Sequence, residues 1–240
     1  MPFLPRATHV MACCIGAVAV VGLQACRGAS KAPGTTSASG PTIAASTAPR
    51  AEVLVVDFGA ATGFRKPPRL PAAEETAIVD RVFPSKPAGV CSVSVEDSAS
   101  GAFTAAGRDQ RVYILVVREC VRALGYHARA VVFDAGELTS EISVEGSSIA
   151  RVVDLDHDGV RELIMTGSAG TFQGITHVDA SWVSLAKRAP TAKKLGEVID
   201  DSCGSGQAGS TSTTASLHVT LETGEPTFRL EPRVAPCPAL

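Results

Sequence analysis

From position 51 onward, turn signals recur about every ten residues, and the runs between them are too short and too β-branched for most helices. Residues 53–58, 111–117, 128–133 and 149–153 are such runs. The stretch 138–144 alternates and puts Ile142 and Val144 on one face. Shorter runs at 163–165, 182–185, 217–221 and 226–230 continue the pattern, and Asp134-Ala135-Gly136-Glu137 reads as a hairpin turn between two of them. A chain punctuated this way is mainly β, either an antiparallel sandwich or propeller-like sheets.

One helix is expected against this background, over about 72–83. Pro71 suits a first turn, Glu74 and Glu75 complement the dipole, and Pro84 ends the helix. Ile78, Val79, Val82 and Phe83 share a face that would pack on a sheet. Residues 204–214 are rich in Gly, Ser and Thr and read as a long surface loop.

The β-rich part is preceded by two segments of different character. Arg6 begins a positive region and 10–23 is apolar, which describes a secretory leader too short to span a bilayer permanently. Its end, Leu23-Gln24-Ala25-Cys26, resembles the lipobox of bacterial lipoproteins. That resemblance implies cleavage before Cys26 and acylation of its thiol and new amine, with palmitate-type chains as the anchor. The competing reading is a plain signal peptide with an incidental cysteine. Arg27, where an Asp would retain such a protein inside, resembles lipoproteins sent to the outer membrane.

Residues 28–50 are almost wholly Gly, Ala, Ser, Thr and Pro, and cannot bury enough surface to offset their ordering entropy. They form a tether of about 25–30 Å reach. The expected organisation is a leader at 1–25, an acylated cysteine and tether at 26–50, and an extracytoplasmic domain at 51–240.

With 45% hydrophobic residues and a net charge of −2, the chain is neither disordered nor a polyelectrolyte, and nothing in it points to nucleic acid. Basic residues at 65, 66 and 69, and at 187, 188, 193 and 194, read as solvated surface. One Trp and two Tyr are few for glycan-stacking platforms.

Cys13 and Cys14 leave with the leader, and Cys26 is the anchor. Cys91, Cys120, Cys203 and Cys237 remain, an even number in an oxidising compartment, so two disulfides are expected. Three pairings are possible. A hairpin of 91–95 with 112–117 would favour Cys91 with Cys120 and Cys203 with Cys237.

The one strong chemical signature is Asp154-Leu155-Asp156-His157-Asp158-Gly159-Val160-Arg161-Glu162. Carboxylates at alternate positions before a glycine curl the chain so that their oxygens converge, as Ca²⁺ requires. Asp154, Asp156 and Asp158 would supply side-chain oxygens, Val160 its carbonyl and Glu162 a closing carboxylate, with His157 pointing outward. The twelfth position is Met165, so this is not an EF-hand.

A strand, this acidic loop and a second strand resemble the FG-GAP or VCBS repeat of integrin-like propellers and exported bacterial proteins. The resemblance covers 149–167 and implies calcium in a structural role; 53–63 and 131–141 could be degenerate blades without the acidic spacing. An unmetallated Asp-Gly turn neutralised by Arg151 or Arg161 is the alternative.

Gly204-Ser-Gly-Gln-Ala-Gly209 imitates a dinucleotide fingerprint but follows no buried strand. His177 and Asp179 are the nearest approach to a catalytic pair. The expected function is therefore a non-enzymatic, envelope-anchored binding or structural module, stabilised by calcium, with an unidentified protein or envelope partner. The alternative is an envelope hydrolase with scattered catalytic residues, recognisable by a polar cleft gathering His177 with an acid or serine.

Overall fold

The computed structural model describes residues 52–60, 67, 69–85, 88–120, 126–186, 190–221 and 225–237. The leader, Cys26 and the tether lie outside these residues. The described residues form a helix, α1 (Ala72–Val82), and eleven strands. These are β1 (Val53–Asp57), β2 (Val90–Gly101), β3 (Gln110–Glu119), β4 (Tyr126–Asp134), β5 (Glu137–Val144), β6 (Ser148–Val153), β7 (Glu162–Phe172), β8 (Ile175–Ser184), β9 (Thr191–Asp201), β10 (Thr211–Leu221) and β11 (Pro226–Pro236).

Strands β2 to β5 make a four-stranded antiparallel meander. The other seven form a second sheet in the order β1-β10-β9-β8-β7-β6. That sheet forks at β10, which carries β11 along one side while β9 and β1 succeed one another on the other. Of the two arrangements expected from sequence, the sandwich is the one formed. The segment 131–141 is the β4–β5 hairpin and β1 is an edge strand, so neither is a propeller blade.

Alternation on β3 explains the layering. Val112, Ile114 and Val116 face the large sheet, where they meet Phe103, Leu163, Met165, Val183 and Leu185. Tyr113 and Leu115 face the opposite way, onto Ile78 and the half-buried Val82 of α1. A strand buried on both faces reads as an unbroken apolar run, which is what 112–117 is. Strand β7 repeats the device, with Leu163 and Met165 in the inter-sheet core and Ile164 on the other side. On that side the large sheet curls around its own core, joining Phe58, Val178, Val198, Ala215 and Leu217, with Trp182 and Phe228 at 5.6 Å.

Two sequence expectations need correction. The 204–214 segment is not one long loop. It opens with the 3-10 turn Cys203–Ser205, and from Thr211 it is strand, because Ser212, Thr213 and Thr214 pair with 199–201. Strand β9 was not expected at all. Its Thr-Ala-Lys-Lys opening is polar because it is exposed, and its ladder to β8 rather than its composition makes it a strand. At the β7–β8 turn, Gly174 has φ of 77° and its Cα faces the Gly204 carbonyl so closely that a Cβ would lie 2.1 Å from the oxygen. Only glycine meets both conditions.

Cys91 lies beside Cys120 with Cα atoms 4.7 Å apart, and Cys203 beside Cys237 at 5.3 Å. The second pair ties the end of β11 to the turn after β9 across 34 residues of chain. Replacing Cys203 and Cys237 together by alanine is expected to cost about 3–4 kcal/mol through the freer unfolded chain. Denaturant unfolding of the oxidised protein checks this, and a loss below ~1 kcal/mol would mean that the β10–β11 ladder holds the terminus unaided.

Candidate functional site

The acidic loop connects the end of β6 to the start of β7, and two apolar side chains root it. Leu155 and Val160 are buried, so the polar residues between them are pushed outward. The loop winds on its own carboxylates. Asp154 Oδ2 accepts the Gly159 amide at 3.1 Å, Asp156 Oδ1 the Asp158 amide at 3.2 Å, and Asp158 Oδ1 the Val160 amide at 2.6 Å. These side-chain-to-backbone bonds are what Asp offers a tight turn. His157 takes φ of 61° and points into solvent, as expected from its place between the acids.

The loop also joins the two sheets. The Arg161 amide donates to the Ala102 carbonyl at 2.6 Å, and Gly159 lies against Ala106 where a Cβ would be 2.9 Å from the alanine methyl. The receiving segment, between β2 and β3, is held in turn by Gln110. Its buried amide oxygen accepts the Phe103 and Thr104 amides at 2.8 and 2.9 Å.

Asp154, Asp156 and Asp158 each bring a carboxylate oxygen to within 4.8 Å of the others. Asp154 Oδ1 is buried and has no hydrogen-bond partner. Glu162 stands apart from this trio. It is 6% exposed, and its Oε2 accepts the Leu155 amide at 3.0 Å, closing the base of the loop. Burial, reinforced by the three aspartates, pushes its pKa from 4.5 to about 7. Neither Arg151 nor Arg161 forms a salt bridge with these acids among the described residues, so the loop's negative charge has no neighbouring guanidinium bound to it.

Three carboxylates gathered within 4.8 Å of one another, one of them with a buried oxygen lacking a donor, fit a hard cation. Asp154, Asp156 and Asp158 would hold it, and Glu162 adds charge from beneath. For Val160, the bond seen is the one its amide donates to Asp158.

The other sequence candidates are placed as follows. His177 and Asp179 do not act as a pair. Asp179 binds Lys194 at 2.7 Å and holds that ammonium above its ordinary pKa. His177 Nδ1 instead meets Glu197 Oε2 at 2.8 Å and Asp200 Oδ1 at 3.5 Å, on an exposed strand face. Sequence spacing singles out neither of those acids.

A cleft of about 850 Å³ opens between the two sheets and is lined by His127, Glu119, Arg129, Ser143, Lys193 and Lys194. In it His127 Nε2 lies 3.2 Å from Glu119 Oε1. Among the described residues of the strands, His127, His177 and His218 each meet a carboxylate. No helix of the described residues is long and apolar enough to cross a membrane. No protein-family model, curated protein or solved structure matches the chain.

Glu162 makes the metal-free protein sensitive to pH. Its carboxyl is held protonated to about pH 7 in the fold but ionises near 4.5 when unfolded. The stability this contributes is complete below 4.5 and is lost as pH rises through 7. In chelator, the unfolding midpoint of the native protein should therefore fall over this window more steeply than that of Glu162→Gln. Equal slopes would show that Glu162 titrates like a surface carboxylate.

Proposed function

We propose that this chain is a bacterial envelope lipoprotein, anchored through acylated Cys26 and displayed on its tether, whose β-sandwich is a calcium-stabilised, non-enzymatic binding or structural module. Two observations carry the calcium reading: carboxylate oxygens of Asp154, Asp156 and Asp158 lie within 4.8 Å of one another, and Asp154 Oδ1 is buried without a hydrogen-bond partner. A bound Ca²⁺ would satisfy that oxygen and offset the crowding of four carboxylates. Because the loop is hydrogen-bonded to the β2–β3 connection, stiffening it would stiffen the contact between the two sheets.

Anchoring rests on the lipobox-like Leu23-Gln24-Ala25-Cys26 and the low-complexity tether after it. Arg27 favours the outer membrane over the inner. The partner is a protein or another envelope component.

Thermal unfolding of the full oxidised chain, with calcium and with chelator, tests the metal reading. Calcium at a hundredfold excess over its dissociation constant should add about 2.7 kcal/mol of stability. Asp156→Ala should abolish that gain. An unchanged melting temperature at millimolar calcium would reduce the loop to a turn. For the anchor, detergent-phase partitioning of the expressed protein should be lost in Cys26→Ser; retention would assign membrane association to another segment.

A further inference from the structure

We infer that His177, Glu197 and Asp200 form a second cation site, on the exposed face of β8 and β9, suited to a borderline divalent metal of the zinc class. Their ligand atoms all lie within 4.8 Å of one another. The imidazole Nδ1 is 2.8 Å from the Glu197 oxygen and 3.5 Å from the Asp200 oxygen. Ligands bound tetrahedrally at about 2.0–2.1 Å stand roughly 3.3 Å apart, so these groups already have the spacing of a coordination shell.

The main chain builds this arrangement. His177 pairs directly with Asp200, and Val178 with Ile199, but Asp179 pairs with Glu197 because the ladder shifts register there. Glu197 and Asp200 are three residues apart and would face opposite sides of a regular strand. The bulge at Val198 brings both carboxylates to the solvent face, while Val198 and Ile199 both join the inner apolar core. Bulges characteristically re-aim side chains in this way.

Local charge supports a cation. A single acid would suffice to pair with the imidazole, yet two converge on the same nitrogen. Lys194 on β9 is hydrogen-bonded to Asp179 at 2.7 Å and is also attracted by Glu197, so one ammonium is shared among these acids. Asp201 turns away to accept the Cys203 amide at 3.0 Å. One imidazole nitrogen with two carboxylate oxygens selects for zinc-class ions over calcium, whereas the acidic loop offers only oxygen. Three protein ligands leave a coordination position open to water or an external donor.

Isothermal titration of the full oxidised chain with zinc, in saturating calcium, tests the site. The expected result is one zinc per chain, weakened at least about tenfold in His177→Ala and in Glu197→Gln. Asp156→Ala should bind zinc as the native chain does, which separates this site from the acidic loop. All three side chains are solvent-accessible, and metal-free melting temperatures check that the variants fold. Absence of saturable binding to the native chain, undiminished binding by folded His177→Ala and Glu197→Gln, or loss of binding in Asp156→Ala would each overturn the proposal.

Discussion

The burial of β3 on both faces is the constraint from which the rest of this architecture follows. Val112, Ile114 and Val116 need a partner layer on one side, and Tyr113 and Leu115 need another on the opposite side. One four-stranded sheet cannot supply both. The large sheet covers the first face through β7 and β8, and α1 covers the second. Strand β7 then faces the same requirement, because Ile164 emerges on the far side of the large sheet. Curling that sheet around Phe58, Val198 and Leu217 is how the far side is kept from water, and the curl explains why β10 serves three neighbours.

The acidic loop is tied to the same framework. It leaves β6 and enters β7 at the seam where the large sheet approaches the β2–β3 connection. Its apolar residues, Leu155 and Val160, belong to the interior, while its amides are held by its own aspartates. Burial, with three aspartates close by, raises the pKa of Glu162, and Asp154 Oδ1 has no donor. A turn that needed only to reverse the chain would not require that concentration of negative charge.

The exposed side-chain trio on β8 and β9 follows a different logic. The acidic loop gathers its groups from neighbouring positions in the chain. The exposed trio gathers His177 from one strand and Glu197 and Asp200 from the next, through a ladder irregularity. A local and a non-local cluster thus occur on the same sheet, with oxygen-only and mixed ligand sets.

Much of the fold was legible because the physics involved is local. Short β-branched or alternating runs between turn signals marked nine of the strands, Pro71 and Pro84 bracketed the helix, and the hairpin of 91–95 with 112–117 brought Cys91 opposite Cys120. The Asp154, Asp156 and Asp158 spacing identified its loop for the same reason, since alternate residues of a tight turn must converge. Strand β9, the true start of β10 at Thr211 and the meeting of Glu197 with Asp200 were decided only by tertiary structure. So was the displacement of Glu162 from the aspartate trio into the base of the loop. A strand's partner, its register and the burial of a carboxylate depend on residues far away in the chain, and no local pattern carries that information.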